Sequence, residues 1–486
     1  MPRKSGMPTA TCLPWPQPMV NSQSPPQPLF YWTPATMLRI GHTDHRRAFL
    51  RVASAASLAS ITGNALSAPD RQIAKPGHSV IFVYLHGGPS QFETFDPKPD
   101  APTDIRSVLG TLPTAVPGLR YSEHFPMLAS RANRFLTVRS FVPGDANHDL
   151  KPLVCAASGM ANLGALHATV GGVQNSDGLP NNIYLTPKAI GEQRADPFMG
   201  PNARLTGAFA RSTGPFVPGG DGELLRDMRL AIPAERLAER RALLTAVDNT
   251  MRALDESGAD GTRERALRVL TGSVADAFDL RQEPQHLLDR YDTAGLVAES
   301  AITTKWNNHL FYKEHVRSLG KLMLMSRRLV ERGAGFVALN TAFVWDNHSD
   351  VNNAPMKEAM PWLAPVLDKA LAALLDDLEA RSLSDRVMVV VCGEMGRTPR
   401  VNNKGGRDHW GGLGPMLLAG GPARSGGILG SSARDGGAPS SAPVTISNLL
   451  GSIFGHLWDV PKLRLRADLG RDLSRVASYD AIPGLG

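Results

Sequence analysis

Cysteine is scarce in this sequence, with three residues in a chain of 486. Cys12, Cys155 and Cys392 are too few for a disulfide framework, so the fold must depend on a hydrophobic core. We interpret Cys392, which lies in an apolar run, as a small core residue and not as a nucleophile. Long apolar stretches are also missing, because no segment reaches the roughly 18 residues that a stable membrane span needs.

Concentrated runs of lysine and arginine with interleaved aromatic residues are absent as well, which argues against a nucleic-acid-binding protein. The formal net charge is +7, but much of the basic excess lies in the first 51 positions. The remaining composition, with 42% hydrophobic and 20% charged residues, is typical of a globular protein with ample material for a core. One large α/β domain or two closely packed ones would fit this length.

The N-terminal region predicts an export signal. Arg46 and Arg47 precede Phe49, and a mildly apolar run rich in Ala and Ser then ends in small residues near Ala68. Paired arginines in this context resemble the twin-arginine signal, which implies a periplasmic or exported protein and the twin-arginine translocase as a partner. We assign the signal to residues 37–68 and expect residues 1–36 to be a disordered or untranslated extension, with residues 69–486 as the folded part.

Polar clusters follow predicted turns in the last third of the chain, at residues 345–350, 393–399 and 406–410. Two of them follow apolar runs at 335–341 and 386–392 that predict buried strands, and residues 356–383 between these runs predict an amphipathic helix. Strand, helix and strand at this spacing form a right-handed crossover unit, which places both strand ends at one edge of a sheet. Because Asp, Glu and His bind divalent metals, we expect a metal site at this edge.

The N-terminal half supplies two more candidates. Residues 79–85 form a continuous apolar run that predicts a central strand, and His86 begins the Gly-rich loop after it. His148 follows a second predicted strand and lies near Asp145 and Asp149, which could orient the imidazole. Charged stretches with helical periodicity between about 204 and 332 predict a helical insertion.

This ordered set of motifs resembles the exported bacterial family called domain of unknown function 1501. The motifs that carry the resemblance are Leu-His-Gly-Gly-Pro-Ser-Gln from Leu85, Asn-His-Asp from Asn147, Trp-Asp-Asn-His from Trp345, Gly-Glu-Met-Gly-Arg-Thr-Pro from Gly393 and Gly-Arg-Asp-His-Trp from Gly406. That family is similar to the alkaline phosphatase and sulfatase superfamily, which implies an α/β fold, a three-layer αβα sandwich, with divalent metals at the strand ends. The resemblance places five residues in the metal-binding region: His86, Asp346, His348, Glu394 and His409.

The chain departs from the superfamily pattern at three places. His86 stands in the region where the first strand normally ends in Asp, and Glu394 with Met395 replaces an Asp-His pair. No hydroxyl or thiol lies at residues 147–149, where the superfamily has its nucleophile. If the protein is a hydrolase of phosphate or sulfate esters, it would therefore use metal-activated water or an imidazole as the nucleophile.

In that case Arg397 or Arg407 would bind the anion, and His148 would act as acid or base. The expected cofactor is zinc, calcium or manganese, and the expected partner is an anionic small molecule or a sulfated or phosphorylated glycan. The alternative is a non-catalytic periplasmic binding or assembly protein that retains the fold.

Overall fold

The structure, a computed structural model, describes residues 73–191, 202–219, 274–423 and 425–485, together with Arg236 and Glu239. All of them belong to the unit that spans residues 43–486. The predicted extension at 1–36 and the predicted signal at 37–68 lie outside the described residues, so the assignment of this region stays a prediction.

The described residues contain strands of two to six residues. They are β1 Ser79–Tyr84, β2 Thr111–Pro113, β3 Arg120–Ser122, β4 Phe135–Val138, β5 Phe141–Val142, β6 Asn182–Leu185, β7 Phe336–Leu339, β8 Val387–Cys392, β9 Gly396–Arg397, β10 His409–Trp410, β11 Met416–Ala419, β12 Gly427–Leu429 and β13 Val444–Thr445.

Seven strands form the central sheet in the order β12-β4-β11-β8-β1-β7-β6. β1 lies between β8 and β7 and is parallel to both, while β11 runs antiparallel to its neighbours β8 and β4. Short pairs form outside it between β2 and β3, β9 and β10, and β5 and β13. All six residues of β1 and of β8 are buried, as expected for apolar runs covered on both faces.

The α-helices range from single turns to 25 residues. They are α1 Pro126–Ala129, α2 Leu163–Gly171, α3 Val274–Ala277, α4 Gln285–Tyr291, α5 His309–Glu331, α6 Met356–Ala380, α7 Ile446–Leu457, α8 Val460–Arg464 and α9 Arg471–Ala477. Short 3₁₀ helices lie at Ala132–Arg134, Ala156–Ser158, Pro187–Ile190, Asn202–Arg204, Arg211–Thr213, Leu280–Gln282, Glu299–Ala301 and Gly421–Ala423.

Two hydrophobic cores lie on opposite faces of the sheet. Ile81 and Val83 of β1 pack in one core with apolar residues of α5 and α6. Val80 and Phe82, on the opposite face of the same strand, pack in the other core with residues of α2 and α7. Helices therefore cover both faces, and the predicted three-layer α/β sandwich is confirmed.

The C-terminal part of the range predicted as a helical insertion, 204–332, is α5. This helix contacts α6, β7 and β1, so it belongs to a helix layer of the sandwich, and the assignment of 204–332 as an insertion stays a prediction. Its apolar residues repeat with helical periodicity because one face packs on the sheet, and sequence periodicity does not distinguish that from packing within an insertion. Within the described ranges, no helix has both the length and the apolar character that crossing a membrane requires.

The crossover from β7 through α6 to β8 forms as predicted. Because β7 and β8 flank β1 and run parallel to it, the C-terminal ends of the three strands meet at one edge of the sheet. The loops that follow them begin at residues 85, 340 and 393. This edge therefore receives polar side chains from three distant parts of the chain.

Candidate metal centre

Gly87 lets the loop after β1 contact the loop after β7 at unusually short range. Its φ is +115°, and a Cβ built on it would lie 2.5 Å from the backbone nitrogen of Asp346. Both the positive φ and the lack of room for a Cβ between the two loops therefore require glycine at this position. A hydrogen bond of 3.1 Å from the Trp345 amide to the His86 carbonyl joins the same two loops.

The carboxylate of Asp346 is the centre of the site. Its Oδ1 atom lies 3.0 Å from Nε2 of His409, 3.5 Å from Nε2 of His148 and 2.7 Å from Nη2 of Arg397. Its Oδ2 atom lies 3.0 Å from Nε2 of His348 and accepts a 3.1 Å hydrogen bond from Nδ2 of Asn353. Burial raises the pKa of Asp346, but the Arg397 charge and the histidine hydrogen bonds outweigh it and hold that pKa well below its usual range. The carboxylate is therefore ionised and available as a ligand.

His148 joins Asp346 and His409 in a triangle of ligand atoms. Its Nε2 atom lies 3.0 Å from Nε2 of His409, while its Nδ1 atom lies 2.8 Å from Oε1 of Glu394. Glu394 is fully buried and also accepts a 2.9 Å hydrogen bond from the Gly87 amide. With Oε1 of Glu394 as the acceptor, Nδ1 carries the proton and the lone pair of Nε2 faces the triangle in the neutral ring.

The donor set and its spacing fit a divalent transition metal. The triangle consists of His148 Nε2, His409 Nε2 and Asp346 Oδ1, with separations of 3.0, 3.0 and 3.5 Å. Tetrahedral zinc, with bonds of about 2.0–2.1 Å, separates its ligand atoms by about 3.3 Å. Two imidazoles and one carboxylate suit zinc better than calcium, which prefers six to eight oxygen ligands. The bond between His148 and Glu394 is also the usual support of a metal-binding histidine.

The structure brings all five predicted ligands to this edge, at different positions. Asp346 and His409 belong to the triangle, and His348 contacts Asp346 through the other carboxylate oxygen. Glu394 lies on the far side of the His148 ring, and Nε2 of His86 is 4.0 Å from Oε1 of Glu394. The triangle thus contains His148, which the sequence suggested as an acid or base, in place of Glu394.

Arg397 connects the loops through its buried guanidinium. Besides Asp346, it donates to the carbonyls of Gly87, Gly88 at 2.7 Å, Arg407 at 3.1 Å and Trp345 at 3.3 Å. The side chain is fully buried. These bonds hold the carboxylate of Asp346 in place and leave the guanidinium little capacity for a substrate.

Arg407 lies in a separate buried ion pair with Glu93. Its Nε atom is 3.0 Å from Oε2 of Glu93, and both side chains have no exposed surface. The guanidinium also donates to backbone carbonyls of residues 105, 106, 398 and 399 and stacks 4.2 Å from the ring centroid of Phe92. These contacts hold the loop that precedes His409.

Sequence reasoning missed residues that support the ligands from outside the motifs. Asn353 donates to Asp346 Oδ2 and accepts a 2.8 Å hydrogen bond from Nδ2 of Asn308, which precedes α5. Lys151 binds the loop that carries His148. Asn353 has no distinctive sequence signal, because it is an asparagine in a polar loop. The role of Lys151, in contrast, could have been indicated by the alternation of Asp145, Asn147 and Asp149 before it.

Comparisons with solved structures find proteins of similar architecture. They include PsFucS1 sulfatase from Pseudoalteromonas sp., 10% identical over 91% of this chain and 75% of that one, with a TM-score of 0.33. They also include alkaline phosphatase from the Antarctic bacterium TAB5, with 13% identity, 74% and 96% coverage and a TM-score of 0.24. The lipoteichoic acid synthase LtaP from Listeria monocytogenes has 9% identity, 77% and 73% coverage and a TM-score of 0.27. At these scores, neither an activity nor a substrate is carried over.

No protein of curated function shows significant sequence similarity to this chain. A family match, in contrast, covers residues 77–477, which include both helix layers, the whole central sheet and every residue of the triangle. The chain belongs to the family described as "Protein of unknown function (DUF1501)".

Proposed function

We propose that this protein is an exported metal-dependent hydrolase in which His148, Asp346 and His409 hold one divalent ion, with zinc as the best fit. The observation that carries the proposal is the triangle of ligand atoms, in which Glu394 orients the imidazole of His148 through its Nδ1 atom. An arrangement of two partly exposed imidazoles, 20% for His148 and 32% for His409, and one carboxylate is that of a catalytic zinc site more than of a closed structural one.

Each residue has a distinct role in this proposal. Glu394 holds the Nδ1 proton of His148, so that Nε2 faces the ion, and Arg397 fixes the orientation of Asp346. His348 remains on the second oxygen of Asp346, with about a quarter of its side chain exposed, where it can contact a substrate or water. A bound divalent ion would supply Lewis acidity and would lower the pKa of a water molecule toward about 7.

We infer an ester of phosphate or sulfate as the substrate, in line with the superfamily that the family resembles. The anion clamp suggested for Arg397 and Arg407 is not part of the proposal, because both guanidinium groups are buried and bonded within the protein. The negative charge of such a substrate would have to be balanced mainly by the ion. Small anionic esters therefore fit the site better than densely sulfated or phosphorylated glycans.

The second candidate function is a non-catalytic periplasmic binding or assembly protein. The internal pairing of both arginines favours it, since hydrolases of anionic esters commonly place such a group on the substrate. Export through residues 37–68 by the twin-arginine translocase is part of both proposals, and neither includes a nucleic-acid partner.

Metal analysis combined with ester hydrolysis tests the proposal. We expect about one equivalent of zinc per chain in the purified protein, and at least about a tenfold loss of zinc affinity in Asp346→Ala and His409→Ala. His286→Ala, which removes an exposed histidine of α4, is the matched control and should retain the ion.

The activity of the zinc-loaded protein then separates the two functions. Hydrolysis of an aryl phosphate or aryl sulfate that is lost in both ligand variants and kept in the control supports the hydrolase. A folded protein that binds zinc and turns over neither ester supports the binding protein. A folded protein without affinity for zinc, manganese or calcium contradicts the metal centre itself.

A further inference from the structure

The loop that carries His148 has no regular secondary structure between β5 and residue 151. Lys151 binds this loop with its ammonium group, which lies 2.7 Å from Oδ1 of Asp145, 2.8 Å from Oδ1 of Asp149 and 3.0 Å from the carbonyl oxygen of Asn147. The three acceptors lie on both sides of His148 in the sequence. One cation thus closes the loop around the histidine.

The burial of Lys151 distinguishes this contact from a surface ion pair. Its side chain is 4% exposed, while those of Asp145 and Asp149 are 54% and 52% exposed. Moving an ammonium group out of water is costly unless each of its protons finds an acceptor, and here three acceptors surround it. Because all three belong to the loop, opening the loop would leave the buried charge without partners.

Contacts at its two ends fix the loop to the rest of the site. The Gly144 amide donates a 3.1 Å hydrogen bond to the carbonyl of Gly411, two residues beyond His409. At the other end, the hydroxyl of Tyr84 in β1 donates a 3.1 Å hydrogen bond to the carbonyl of Asp149. His148 lies between these two attachments, and Lys151 supplies the contacts within the loop itself.

We propose that Lys151 is a positioning residue of the metal centre: by binding Asp145, Asn147 and Asp149, it holds Nε2 of His148 in place before an ion arrives. The inference rests on the proposed metal site and adds to it a residue that contacts no ligand atom. Preorganisation of this kind strengthens binding because the loop loses little conformational freedom when the ion binds.

Zinc affinity of the full chain, measured by competition with a chelator, tests the proposal. Lys151→Met removes the charge and keeps the length of the side chain, and we expect it to weaken zinc binding about 10- to 100-fold. The matched control is Lys98→Met, since Lys98 is a similarly enclosed lysine that binds Ser432 at 2.6 Å and Asp96 at 3.3 Å, outside the loop. The control should change zinc affinity by less than about threefold, the scatter expected for a site that shares no contact.

Hydrogen exchange of the metal-free proteins gives a readout that does not depend on zinc. Amides of residues 144–150 should exchange faster in Lys151→Met than in the wild type and in Lys98→Met. Unchanged exchange or wild-type zinc affinity in Lys151→Met overturns the proposal. If Lys151→Met does not fold, Asp145→Asn, which weakens one of the three contacts, should lower zinc affinity several-fold, and wild-type affinity there overturns it as well.

A wild-type protein that binds no zinc has a different meaning. That result contradicts the proposed metal centre, and the role of Lys151 in holding a metal ligand falls with it. The exchange of residues 144–150 then still shows whether Lys151 holds the loop, so the two failures are distinguishable.

Discussion

Zinc affinity should keep rising with pH well above the value at which a histidine normally loses its proton. The Nε2 atom of His148 must be unprotonated to bind a metal. Burial lowers the pKa of His148, but its hydrogen bonds to Asp346 and Glu394 and the charges of these carboxylates outweigh burial and raise it to about 9 in the metal-free protein. At neutral pH the ion therefore has to displace a proton from this ring.

The size of the effect follows from the fraction of neutral His148. With a pKa of about 9, about 1% of the rings are neutral at pH 7 and about half at pH 9, so the zinc association constant should rise roughly fiftyfold between them. A histidine with the ordinary pKa of about 6.5 would give a rise of less than about twofold over the same range. Because a zinc-bound water with a pKa of about 7 would add its own proton to this pH dependence, the contribution of His148 is the part of the rise that a Glu394→Gln variant loses.

Calorimetric titration with chelator-buffered zinc measures both the affinity and the proton. In two buffers of different ionisation enthalpy, we expect release of about one proton from His148 per ion at neutral pH, falling to about half a proton near pH 9. An association constant that stays constant above neutral pH, without release of a proton, would refute the assignment of His148 as a metal ligand paired with Glu394.

Glu394→Gln provides the matched perturbation, because it keeps the shape of the side chain and removes one of the carboxylates that raise the His148 pKa. The pKa should fall, so the rise in affinity between neutral and alkaline pH should shrink. The affinity at alkaline pH should fall about 10- to 100-fold, because the support of Nδ1 is weakened. Glu358→Gln, in the first turn of α6, should behave like the wild type.

Other predictions concern packing and stability. Gly411→Ala should weaken zinc binding at least about tenfold, as measured by chelator competition in a folded variant. The new Cβ would lie 2.6 Å from the carbonyl carbon of Asp145 and would therefore separate the segments that carry His148 and His409. In urea unfolding, the free energy of unfolding should fall between about pH 6.5 and about pH 4, by up to about 3 kcal/mol per group. The reason is that three buried histidines stay neutral in the folded protein, whereas the same residues take up protons in the unfolded chain. Burial lowers the pKa of each of them to about 4: His167, His315 and His456. Thr445→Ala should cost about 1 kcal/mol in the same assay, because its hydroxyl accepts the Asn448 amide at the start of α7, and Thr445→Ser should restore most of it.

Local sequence patterns were sufficient for the architecture. The apolar runs of β8 and of β1 after Ser79 have no charged position that could face water, which indicates strands covered on both faces. The helical repeat between β7 and β8 then required a crossover with both strand ends at one edge. Thr445 is the N-cap of α7, a position that threonine favours, so the start of this helix also follows from a local pattern.

The role of α5 could not be read in the same way. A helix with one apolar stripe has the same periodicity whether the stripe packs on a sheet or within an insertion, and the structure decides for the sheet. The arginines show the same limitation. Arg397 and Arg407 occupy motifs that suggest anion binding, but their acceptors include residues of the loop after β1, 314 positions away in the case of Glu93.

The sequence by itself therefore determined the α/β class, the edge of the sheet that carries the site and most of its polar side chains, because these depend on periodicity and chain order. Only the tertiary structure decided which atoms converge. His148 meets Glu394 and His409 across 246 and 261 residues of chain, and these contacts set which ring nitrogen faces Asp346. The direction of a side chain in a loop depends on the distant loops that pack against it, and no local pattern records their positions.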